Sequence, residues 1–71
     1  MKDFKIKGEY ITLGQLLKAC GLVGYGSEAK IVIQEGQVRV DGQVETRRGR
    51  KLYGGETVSF QENEIKVKAE S

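Results

Sequence analysis

Twelve of the 71 residues are basic, and four of those fall in the first five positions of the run RRGRKLYGGE, at Arg47, Arg48, Arg50 and Lys51. All four arginines, with Arg39 the fourth, lie inside one short window; elsewhere every basic residue is a lysine. The guanidinium is a planar fork that meets two phosphate oxygens at once, whereas the ammonium is a hydrated point charge. Segregated arginines therefore point to a specific anionic partner, in a chain whose net charge is only +2. Lys18 and Lys30 stand off the apolar faces of two expected helices and extend the positive strip. Each phosphate neutralised on a nucleic acid releases condensed counterions, so a few such contacts give salt-sensitive binding. Gly49 permits close backbone approach, and Tyr53 is placed to stack on an unpaired base. A merely solvated basic loop has the same composition, so charge alone leaves both readings open.

Other chemistries find fewer materials. There is no histidine, so the commonest general base is missing and the single cysteine, Cys20, has no partner for a Cys-His pair. Cys20 falls on an apolar helix face and is expected to be a small buried thiol. Zinc would need more Cys or His ligands. Asp41 and Glu45 are expected to be solvated carboxylates. Gly24-Tyr25-Gly26 lacks the lysine and the preceding strand of a phosphate-binding loop. No enzyme activity, cofactor or metal is expected. One cysteine suits a reducing, cytoplasmic setting. No apolar run nears the ~20 residues that span a bilayer, and the opening MKDFKIKGEY alternates and carries acids, unlike a secretory leader.

The elements that must hold these residues follow from periodicity. Phe4 and Ile6 alternate with Lys5 and Lys7, which predicts a half-buried strand ending near Gly8. Thr12 and Gln15 form a capping-box pair, Ile11 and Leu16 a hydrophobic staple. Leu13, Leu16, Leu17 and Cys20 recur at helical spacing, and Gly21 is placed to stop the helix. Ser27 is the expected cap of a second helix over Glu28–Glu35, with Ala29, Val32 and Ile33 inward and Gly36 as its stop. QVRVDGQVE predicts a hairpin turning at Asp41-Gly42, with Val38 and Val40 inward and Arg39 outward. Leu52 points to the core, and Tyr53-Gly54-Gly55 turns the chain. Val58 and Phe60 face inward on the next strand, Gln61 to Asn63 turn again, and Ile65 and Val67 belong to a last strand. The order implies an α+β fold, one domain over residues 1–71, with two short helices on one side of a mainly antiparallel sheet of about four to five strands.

Thr12 to Phe60 resembles a known family, the RNA-binding domain first defined in the fourth protein of the small ribosomal subunit. The resemblance rests on a capped helix, a second helix, the hairpin EGQVRVDGQ and the closing turn Gly55-Glu56-Thr57-Val58. ITLGQLLK with RRGRKLYGGETV is similar to small stand-alone bacterial members, the YaaA-like and YbcJ-like proteins. The resemblance implies an RNA-binding module without catalysis, acting on structured RNA such as ribosomal or transfer RNA. Position by position, Thr12, Leu13 and Gly14 stand where the wider family often has Arg-Leu-Asp. Tyr25 and Gly26 stand for Ser-Arg, Lys30 keeps a later charge, and Asp41, beside Gly42, stands for the hairpin asparagine. With polar groups missing from the helices, the contact is expected to shift toward Arg47, Arg48, Arg50 and Lys51, helped by Arg39, Lys30 and Lys18. The alternative is a protein-interaction module docking an acidic surface of a ribosome-associated or replication protein.

Overall fold

The computed structural model describes residues 2–70. Seven strands and two helices follow in the order β1 (Lys2–Lys5), β2 (Ile11–Thr12), α1 (Leu13–Ala19), α2 (Gly26–Gln34), β3 (Val38–Val40), β4 (Gln43–Val44), β5 (Lys51–Leu52), β6 (Thr57–Phe60) and β7 (Asn63–Lys68). The main sheet has the order β1-β7-β6-β3-β4, and β2 and β5 form a separate two-stranded ladder. Every pairing is antiparallel except β1 with β7, which is parallel. The fold is therefore α+β with a mainly antiparallel five-stranded sheet, as the sequence implies.

Period-two alternation builds the sheet. Val38 and Val40, Val58 and Phe60, and Ile65 and Val67 turn one face inward and are buried. Leu13, Leu16, Leu17, Ala29 and Ile33 cover that face from the two helices, and Leu52 joins them. Fully burying one such side chain is worth about 1.5–3 kcal/mol, so this single cluster is the main source of stability. Asp41 (φ 53°) and Gly42 (φ 83°) make the two-residue turn between β3 and β4, the left-handed pair that matches strand twist.

The helix ends follow local chemistry. Gln15 N–H donates to Thr12 Oγ1 at 3.3 Å, and Thr12 N–H donates to Gln15 Oε1 at 3.1 Å, so the capping box is formed both ways. Gly21 (φ 74°) ends α1, where Leu22 N–H reaches Leu17 O at 3.0 Å; Gly36 (φ 77°) ends α2, where Gln37 N–H reaches Val32 O at 3.1 Å. Both are left-handed glycine stops of the Schellman kind.

Several local expectations are corrected. Tyr25, not Ser27, is the N-cap of α2, and no side chain caps it. The helix runs Gly26–Gln34 because Glu28 reaches back to the Gly24 N–H (2.8 Å) and closes the preceding loop, so the chain turns helical before Ser27. Val32 is only half-buried and packs at the core's edge, since Ala29 and Ile33 take the inward positions. β1 ends at Lys5, and buried Ile6 follows it, held by its N–H on Lys68 O at 2.8 Å. Cys20 is the C-cap of α1 and half-buried, not enclosed; burial still pushes its thiol pKa up.

Candidate nucleic-acid interface

The basic segment is not a free loop. Arg47 O accepts the Arg50 N–H at 3.2 Å, which makes a tight turn over Arg47–Arg50. The chain then enters β5, which pairs Ile11 with Leu52 and Thr12 with Lys51. Beyond that ladder, Leu13 N–H donates to Arg50 O (2.8 Å) and Gly14 N–H donates to Arg48 O (3.0 Å). The first amides of α1, which a helix leaves unpaired, are thus satisfied by carbonyls of the arginine loop. Any anion held here must be held by side chains, not by the end of α1.

Gly14 allows this contact. It is buried, and a Cβ added to it would lie 2.7 Å from Arg48 Cγ. The arginine stem therefore lies across the bare backbone of α1. A groove of about 350 Å³ opens beside it, lined by Thr12, Gly14, Gln15, Lys18, Gly26, Ala29, Arg48 and Gly49. Its lining includes two cations, and no carboxylate among the described residues. Lys30 stands one turn beyond Gly26 on α2 and is exposed. A second, more open depression of about 460 Å³ is lined by Arg47, Gly49, Arg50 and Lys51.

Glu45 overturns the expectation of a solvated carboxylate. It is 8% exposed and accepts from Arg47 Nε (3.1 Å), Arg50 Nη1 (2.9 Å) and the Thr46 and Arg47 N–H groups. The Arg47 hydrogen bonds first, then that of Arg50, hold its pKa down at about 2 despite burial. Glu45 in turn raises the Arg47 pKa. Its role is to brace the turn: a buried carboxylate needs partners, and the two arginines supply them. Among the described residues Arg48, Lys18 and Lys51 form no salt bridge. The three arginines of the loop, alike in sequence, thus divide into two that grip Glu45 and one that fronts the groove.

The remaining expected residues lie apart. Arg39 alternates with Val38 and Val40, so it occupies the sheet face away from the helices, opposite Val44 and Ser59. Asp41 accepts the Thr57 N–H at 2.9 Å and, with Gly42, shapes the β3–β4 turn. Tyr53 is 56% exposed, and its ring centroid lies 6.0 Å from that of Tyr10, a residue the sequence reading missed. Lys51 Nζ lies 4.9 Å from the Tyr10 ring centre. The signal for Tyr10 was its position: with Ile11 opposite Leu52, Tyr10 falls opposite Tyr53.

Two short helices over a five-stranded sheet, with an arginine turn seated on the first helix, define a small α+β module with a cationic groove. Comparison places it: residues 4–68 match the S4 domain, and the chain belongs to that family. It is 48% identical over 63 residues to "Putative RNA-binding protein YbcJ" of Escherichia coli (strain K12), covering 89% of this chain and 90% of that one. It is 43% identical over 56 residues to "Probable ribosome maturation protein RlbA" of Bacillus subtilis (strain 168), covering 79% of each. The solution structure of YbcJ from E. coli, described as revealing an "ALFAL motif involved in RNA-binding", superposes with a TM-score of 0.74 at 46% identity, over 97% of this chain and 89% of that one.

Proposed function

We propose that this protein is a non-catalytic RNA-binding module that grips phosphates of structured RNA in the groove between α1, α2 and the arginine turn. The observation that carries the reading is the groove's lining: Arg48 and Lys18 border it without a carboxylate to neutralise them. Gly14, Gly26 and Gly49 keep its walls low, so a phosphodiester backbone has room to approach. Lys51 and Lys30 extend the field, and Arg47 and Arg50 add charge already shared with Glu45. Arg39, Asp41 and Gly42 fall outside this surface. The relatives support the choice of partner, since one is named for RNA binding and another for ribosome maturation. Ribosomal RNA is accordingly the first target, transfer RNA the second, and the cytoplasm the setting.

The test is a titration of labelled structured RNA. Arg48→Glu is expected to weaken binding strongly, and Arg39→Glu, on the other sheet face, to change it little. No detectable affinity of the wild type even at low salt would end this reading. A nuclease-resistant protein partner would then favour docking to an acidic protein surface.

A further inference from the structure

Tyr10 and Tyr53 remain outside the groove. Their rings lie 6.0 Å apart, inclined at 55°, and they are 41% and 56% exposed. The β2–β5 ladder sets them there. Leu52 is buried and Ile11 packs against the core, so alternation sends Tyr10, Thr12, Lys51 and Tyr53 to the outer face. Lys51 closes over the Tyr10 ring on that face. The strip leads into the groove: Thr12 and Gln15 line the groove, and Gln15 also borders a depression lined by Tyr10, Lys5 and Lys7. Tyr10 and Thr12 are two residue steps apart along extended chain, about 7 Å, a distance that one nucleotide spans.

Resting on the RNA-binding reading above, we propose that Tyr10 and Tyr53 form a stacking subsite for one unpaired nucleobase, beside the groove that holds the phosphates. Lys51 holds the phosphate that joins this base to the structured part of the RNA. An aromatic face accepts any base, so the subsite selects for an unpaired nucleotide next to a helix and not for a sequence. Exposed rings next to a cation offer both the stacking surface and the charge that a single-stranded nucleotide needs.

Three labelled RNAs test this: a blunt two-strand duplex, the duplex with an adenine overhang, and the same overhang with abasic sites. The wild type is expected to bind the adenine overhang roughly 5- to 100-fold more tightly than the abasic one. Tyr10→Ala combined with Tyr53→Ala is expected to bring that ratio close to one and leave blunt-duplex binding unchanged, whereas Tyr53→Phe keeps the ratio. Arg48→Glu is expected to weaken all three RNAs and keep the ratio. In the unaltered protein, the ring protons of Tyr10 and Tyr53 are expected to shift upfield on adding the adenine overhang and to stay in place on adding the abasic one. A wild-type ratio of one, a ratio kept by the double variant, or unmoved ring protons overturns the subsite and leaves the groove reading standing. Failure of the wild type to bind any of the three RNAs overturns both.

Discussion

Arg48 rests on Gly14. The Gly14 N–H donates to Arg48 O at 3.0 Å, and a Cβ on Gly14 would come within 2.7 Å of Arg48 Cγ. Two segments far apart in sequence meet with only the Arg48 stem laid against bare backbone. The position of the groove-fronting arginine therefore depends on a residue that carries no charge.

Gly14→Ala tests that dependence. Alanine gains about 1 kcal/mol in helix propensity over glycine, while overpacking a tight contact costs about 1–3 kcal/mol. Thermal melting is expected to show a stability change between neutral and modestly negative. If Arg48 grips a phosphate as proposed, RNA affinity is expected to fall by roughly three- to tenfold when the arginine is displaced. A variant that melts higher and binds RNA as the wild type does would show that this packing does not position Arg48.

Glu45 makes the fold sensitive to acid. Its folded pKa of about 2 lies below the usual 4.5. A depressed carboxylate pKa stabilises the fold above the unfolded value, and that contribution is lost as pH falls from about 5 toward 2. Arg47 is largely exposed, so solvent screening keeps the contribution to the order of 1–2 kcal/mol. Urea unfolding across this pH window is expected to show the loss, and Glu45→Gln to flatten it. An equal acid loss in Glu45→Gln would assign the effect to other carboxylates.

Gly54 and Gly55 form a matched pair of probes. Both have positive φ, at 121° and 96°, but a Cβ on Gly54 would lie 2.7 Å from Ala69 N, whereas one on Gly55 meets nothing within 4 Å. Gly55→Ala is expected to cost about 1–2 kcal/mol from left-handed backbone alone. Gly54→Ala adds a clash with main chain that cannot rotate away, and its cost is expected to exceed 2 kcal/mol. Urea midpoints of the two variants measure the difference directly. Equal midpoints would mean that the 69–70 segment moves aside freely.

Features governed by neighbours in sequence were legible from it. Thr12 with Gln15 announced a capping box, Gly21 and Gly36 announced helix stops, and Asp41-Gly42 announced its turn; all are formed. The alternating valines placed the inner sheet face. What escaped depends on contacts between distant segments. The parallel pairing of β1 with β7 has no connecting turn to mark it. Gly14 reads as a weak helix position until Arg48, 34 residues away, is laid over it. Glu45 reads as a surface carboxylate beside arginines, because nothing local signals that the turn folds them back onto it. Tyr10 gains meaning only from the ladder that sets it against Tyr53. The arginine cluster was visible at once, but its division into brace and groove was not.

That division is the central claim, and the salt dependence of RNA binding tests it most directly. Affinity for a structured ribosomal RNA fragment would be measured against salt for the wild type, for Arg47→Gln, and for Arg48→Gln combined with Lys18→Gln. The wild type is expected to show a steep log–log decline. The groove variant is expected to lose about one unit of slope for each phosphate contact removed, and Arg47→Gln to keep nearly the full slope. A slope reduced by Arg47→Gln as much as by the groove variant, or left unchanged by both, would contradict the account.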